Sequence, residues 1–96
     1  MSLRERLLDA ILDGKIGKGL IVTRQEIIDY FSDINEATTG VLLSNSEITT
    51  GALHSPTYKH FTQRLSKGVY RVHPLALAER LKQRGGAGGY NVPPNP

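Results

Sequence analysis

Apolar residues recur at three- and four-residue spacing at the start of the chain, where Leu3, Leu7, Leu8, Ile11 and Leu12 form one stripe between charged positions. Just ahead of the stripe, Ser2-Leu3-Arg4-Glu5 has the form of a capping box. In that motif the serine hydroxyl accepts from an orphan amide three residues on, and the glutamate reaches back to the cap amide. The pattern predicts a first helix over residues 3–14, ended by Gly14, Gly17 and Gly19. Leu20-Ile21-Val22 is a β-prone run too short for a core strand of its own, but long enough to pair with a hairpin. A second capping box, Thr23-Arg24-Gln25-Glu26, then opens a stripe of Ile27, Ile28, Phe31 and Ile34, which predicts a second helix over 24–33.

A third helix is expected near residues 36–46, with Ala37, Val41, Leu42 and Ile48 towards one side and the polar run Ser44-Asn45-Ser46 at its end. Gly40 weakens it by about 1 kcal/mol relative to alanine. Its expected outward face includes Glu36, Thr39, Gly40, Leu43 and Glu47, and holds no arginine or lysine. Residues 49–58 lack periodicity and read as a loop. The period then changes to two. Phe61, Gln63 and Leu65 alternate with Thr62 and Arg64, Ser66-Lys67-Gly68 makes a turn, and Tyr70 and Val72 alternate with Val69, Arg71 and His73. This is a β-hairpin signal, with Gly68 at the left-handed position. Its apolar face is expected to hold Phe61, Leu65, Tyr70 and Val72, with Arg64 and Arg71 opposite. Pro74 opens a last helix with Leu75, Leu77, Ala78 and Leu81 as apolar contacts and Arg80, Lys82 and Arg84 at its end. The predicted domain spans residues 1–85, and 86–96 is a Gly/Pro-rich tail expected to be flexible.

The fold class that follows is α+β, mainly helical, in the order helix, short strand, helix, helix, β-hairpin, helix. That order matches the winged helix-turn-helix, whose third helix docks in the major groove while the hairpin, or wing, lies along the backbone or in the adjacent minor groove. Phe61-Thr62-Gln63-Arg64-Leu65-Ser66-Lys67-Gly68-Val69-Tyr70-Arg71-Val72 resembles the terminal hairpin of small winged-helix domains that accompany restriction and homing-type endonucleases. Thr23-Arg24-Gln25-Glu26-Ile27-Ile28 is similar to the start of their second helix. The resemblance covers about residues 3–73 and implies DNA binding; no nuclease residues are there to carry over.

Composition narrows the function classes. Ninety-six residues suffice for one core and leave little for a deep cleft. The absence of cysteine removes disulfides, thiolate zinc sites and cysteine nucleophiles. Charge at Arg4, Glu5 and Arg6 does not suit a signal peptide, and the longest apolar runs fall far short of a membrane span, so a soluble cytoplasmic protein with no membrane partner is expected. His54, His60 and His73 form no HExxH pattern, and Ser55 beside His54 lacks a motif that would supply a base and an oxyanion hole. Gly14, Gly17 and Gly19 follow no strand and lead into no GKS or GKT, so they read as a connection and not as a phosphate loop. A non-enzymatic module without cofactors or metal is the expectation.

Charge is unevenly placed. Residues 1–56 carry five basic and eight acidic residues, a net of −3, whereas from Thr57 onward seven basic residues stand against Glu79 alone, a net of +6. A basic half suits a polyanionic partner, and it also suits an ordinary solvated surface. For double-stranded DNA, Lys59, Arg64, Lys67 and Arg71 are the candidate phosphate contacts, with Arg24 at the start of the second helix. Thr38, Thr39, Ser44, Asn45 and Ser46 supply hydroxyl and amide groups for phosphates or base edges; alternatively Thr38 and Thr39 cap the third helix and Asn45 closes it. An outward Leu43 would instead mark a contact with a protein partner or a second copy, which keeps a protein–protein interaction module as the alternative.

Overall fold

The computed structural model describes residues 1–48 and 56–86. The expected loop over 49–58 lies outside these as far as residue 55, and the expected tail lies outside them from residue 87. Among the described residues the chain is α+β, with five α-helices and a three-stranded antiparallel sheet in the order β1-β3-β2. Both capping boxes close. At the start of α1 (Leu3–Leu12) the Glu5 amide donates to Ser2 Oγ at 3.1 Å and the Ser2 amide to Glu5 Oε1 at 3.0 Å. At the start of α2 (Arg24–Tyr30) Glu26 N donates to Thr23 Oγ1 at 3.0 Å and Thr23 N to Glu26 Oε1 at 3.4 Å. A cap of this kind contributes about 1 kcal/mol and fixes where the helix begins.

Between them runs β1 (Ile21–Thr23), which pairs with β3 (Val69–Val72) so that Val22 lies opposite Tyr70 and Ile21 opposite Arg71. The other edge of the sheet is β2 (Thr62–Ser66). Gly68 turns β2 into β3 at φ +72°, a conformation a side chain with a Cβ resists. Leu7, Leu8 and Ile11 of α1, Val22, Ile27, Phe31, Phe61 and Val72 fill the core. Arg4 is buried with its guanidinium 4.4 Å from the Tyr58 ring centroid and 5.2 Å from that of Phe61, which holds the chain entering β2 against α1.

The expected third helix is not continuous. It is two single turns, α3 (Glu36–Thr39) and α4 (Leu42–Asn45), with a break at Gly40 and Val41. Arg24 Nε donates to the Gly40 carbonyl at 2.9 Å, so the guanidinium takes the acceptor at the break. A Cβ at Gly40 would stand 2.7 Å from Arg24 Nη2 and 2.8 Å from the Glu36 carbonyl oxygen, so glycine is what lets the two approach. Leu43 is also not outward: it is buried, and its carbonyl accepts from Thr62 Oγ1 at 2.8 Å.

The hairpin is in another phase on one strand. Tyr70 and Val72 face inward as expected, but Arg64 pairs with Tyr70, Thr62 with Val72 and Gln63 with Arg71. Directly paired residues share a face, so Arg64 lies on the Tyr70 face and only Arg71 on the other. Phe61 remains buried because it precedes the strand, where its amide donates to the Ser46 carbonyl at 2.8 Å. Leu65 is 55% exposed, not part of the core.

The last helix, α5 (Pro74–Gly86), buries Ala76 and Leu77 and leaves Leu75, Ala78 and Leu81 exposed. Its inner face is completed by ions. Arg80 donates from Nε to Asp9 Oδ1 at 2.8 Å and from Nη2 to Asp9 Oδ2 at 2.9 Å, and Arg84 Nη2 reaches Asp13 Oδ1 at 3.0 Å. Glu5 Oε2 lies 3.5 Å from Arg80 Nη1. Arg80 and Arg84, expected at the basic end of the last helix, are therefore paired with carboxylates of α1 and its C-cap. No helix among the described residues is long and apolar enough to cross a membrane.

Candidate nucleic-acid interface

Capping by Thr23 sets the register of α2 and so places Arg24 at its first position, beside the hairpin; its amide donates to the Gly68 carbonyl at 2.8 Å. On the other side the same residue is held to Gly40. Between the α3–α4 break and the hairpin the surface closes into a groove of about 410 Å³. One wall is Thr39, Gly40, Leu43, Ser44 and Glu47; the other is Arg64, Lys67, Gly68 and Tyr70, with Arg24 joining them. A shallower depression of about 540 Å³ shares Arg24, Lys67 and Gly68 and continues past Thr23 and Gln25. The basic surface thus wraps the turn of the hairpin.

Three cations, Arg24, Arg64 and Lys67, meet one carboxylate, Glu47, in this groove. Among the described residues none of the four is in an ion pair within 4.0 Å, whereas Arg6, Arg80 and Arg84 all are. Groups left in this way keep their full charge for a ligand, and their walls of low dielectric focus the field between them.

Of the ten residues singled out in the sequence, the groove gathers Arg24, Thr39, Ser44, Arg64 and Lys67. Thr39 is buried and its hydroxyl donates to the Asn35 carbonyl at 3.4 Å, so it shapes the wall and has little to offer a ligand. Ser44 is exposed, with its hydroxyl on the Val41 carbonyl at 3.1 Å. Thr38 and Asn45 are exposed but lie outside the groove lining. Ser46 is buried beneath it, where its carbonyl accepts from the amides of Phe61 and Thr62.

Arg71 is on the opposite face of the sheet, donating to Gln63 Oε1 at 3.2 Å. Lys59 follows Tyr58, whose hydroxyl donates to Ser2 Oγ at 3.0 Å, so it stands by the start of α1 and not in the groove. No protein-family model, curated protein or solved structure matches this chain. The arrangement of its own side chains therefore carries the functional reading. Sequence reasoning missed Gly40, whose part in the site depends on Arg24, and placed Glu47 on an outward face without seeing that cations would surround it.

By formal charge the groove is net cationic, three cations against one carboxylate, with a polar edge. Its lining has fork and ammonium donors, the hydroxyl-bearing Thr39, Ser44 and Tyr70, and one carboxylate. No cluster of three or more His, Asp or Glu able to hold a metal occurs among the described residues.

Proposed function

We propose that this chain is a non-enzymatic double-stranded DNA-binding module of winged helix-turn-helix type, in which α2 to α4 supply the helix-turn-helix and the β2–β3 hairpin is the wing. The observation that carries the reading is the convergence of Arg24, Arg64 and Lys67, without ion-pair partners among the described residues, on one groove between the two elements. In this architecture the phosphate ridge that separates the major groove from the minor groove enters the cleft between helix and wing. A groove of about 410 Å³ takes a short stretch of one sugar-phosphate strand and not a duplex, which suits that geometry.

The broken third helix shifts the balance of contacts. Two four-residue turns present little helix to a major groove, and the groove wall on their side offers Ser44 and Glu47 to base edges but no arginine or lysine. Affinity then rests on phosphates and sequence preference is small. The outward Leu43 that supported the alternative of a protein-interaction module is instead buried.

Fluorescence anisotropy with random-sequence duplex DNA at several salt concentrations tests the proposal. The parent should bind at low salt, and the double variant Arg64→Gln, Lys67→Gln should flatten the plot of log affinity against log salt by up to about 1.8, since each phosphate contact contributes roughly 0.9. Arg71→Gln, on the other sheet face, should leave the slope unchanged. A parent that binds no duplex even at low salt, or a folded double variant with the parent's slope, would overturn the reading.

A further inference from the structure

Leu65 is an apolar residue that the fold sets out in water, in the middle of a basic hairpin. Arg64 pairs with Tyr70 and Ser66 with Val69, so Leu65 is an extra residue in the ladder, opposite nothing. Regular pairing would have set it against Val69. Such a bulge bends its strand, raises the local twist and re-aims a side chain. It lies on β2, an edge strand, where no further strand among the described residues covers it. Leu65 is 55% exposed, and from Thr62 to His73 the hairpin carries Arg64, Lys67 and Arg71 with no carboxylate.

We propose that Leu65 is an apolar wedge that enters the minor groove of the duplex and partly unstacks one base step, while Arg64 and Lys67 hold the flanking phosphates. The proposal rests on the DNA-binding reading above and names how the wing engages. The all-cationic frame selects a polyanion as the occupant, and within a duplex the stacked base steps at the floor of the minor groove offer apolar surface to a leucine. Wedges of this type kink the duplex towards the major groove, most readily at flexible pyrimidine–purine steps.

The test uses the full chain and a short duplex rich in TA steps, with a donor and an acceptor dye at its ends. Saturation with the parent should raise energy transfer as the ends approach. Leu65→Ala should keep the parent's melting temperature, since the side chain is exposed, and bind roughly tenfold more weakly at every salt concentration, an effect of about 1.4 kcal/mol. It should also lose the rise in energy transfer yet keep the salt slope, because no charge is removed. Leu65→Met should restore affinity and bending.

A parent that binds without any change in energy transfer overturns the wedge and leaves the DNA-binding reading standing. A Leu65→Ala variant that binds and bends like the parent does the same. If sedimentation shows that Leu65→Ala converts a self-associated parent to monomer while bending persists, Leu65 is a contact between copies and the wedge is wrong. Failure of the parent to bind duplex at all overturns both.

Discussion

Replacing Arg80 with alanine removes the centre of the α1–α5 clamp. Its guanidinium meets both oxygens of Asp9, at 2.8 and 2.9 Å, with the Arg80 side chain 13% exposed and that of Asp9 20% exposed. Breaking a fully buried pair costs about 3–5 kcal/mol and an exposed one under about 1 kcal/mol. A bidentate pair at this depth lies between, at about 2 kcal/mol. In a domain of this size each kcal/mol moves the melting temperature by about 4–8 °C, so Arg80→Ala should lower it by about 8–16 °C at neutral pH.

Acid provides the second reading of the same contact. The hydrogen bond from Arg80, more than its charge, holds the Asp9 carboxyl below its ordinary value of 3.8. A group depressed on folding contributes stability that is present above the unfolded value and is lost as pH falls through the folded one. The parent should therefore lose this increment below about pH 4, and Arg80→Ala should have a flatter acid limb there. Thermal melts followed by circular dichroism from neutral pH to about pH 2.5 measure both quantities. A variant within about 2 °C of the parent at neutral pH, or with a parallel acid limb, would refute the clamp.

Gly40→Ala would ordinarily gain about 1 kcal/mol from helix propensity. Here the new methyl would meet the Glu36 carbonyl at 2.8 Å, and overpacking should instead cost about 1–3 kcal/mol and weaken duplex binding as Arg24 is displaced; a raised melting temperature would show that the break is not needed. Glu47→Gln removes the single carboxylate from the groove and should tighten binding to random duplex about two- to fivefold, consistent with one unfavourable charge at a wet site; unchanged or weaker anisotropy titrations would take phosphates out of the groove.

Legibility in the sequence follows the range of the interaction. The two capping boxes and the Gly68 turn are closed by neighbours within a few residues, and the residue pattern alone places them. The phase of β2 is not local. A threonine can point into the core at position 62 because the Leu43 carbonyl, 19 residues away, accepts its hydroxyl, and alternation of apolar and polar types has no means of encoding that partner. The broken third helix has the same origin, since Gly40 by itself only weakens a helix and it is Arg24, 16 residues earlier, that takes the carbonyl at the break. Half of the candidate contacts fell outside the groove: Thr38, Asn45 and Ser46 sit on or just after the broken third helix, Arg71 is on the other sheet face and Lys59 follows the tyrosine held at the start of α1.

The charge asymmetry shows how a one-dimensional signal becomes a spatial one. The acidic first half and the basic second half do not face solvent as separate fields, because Arg80 and Arg84 meet Glu5, Asp9 and Asp13 across α1 and α5. That pairing cancels cations far from the hairpin and leaves those of Arg64 and Lys67 beside Arg24. The groove holds three cations against one carboxylate, so the +6 of the C-terminal half overstates the charge gathered there. Three cations there limit the salt slope that the groove can generate to about 2.7, with Glu47 working against them. A slope well above that figure would mean that the duplex also meets Arg71 or Lys59, wrapping the outer face of the sheet or reaching the start of α1. A slope near it would confine the phosphates to the cleft between hairpin and helix break.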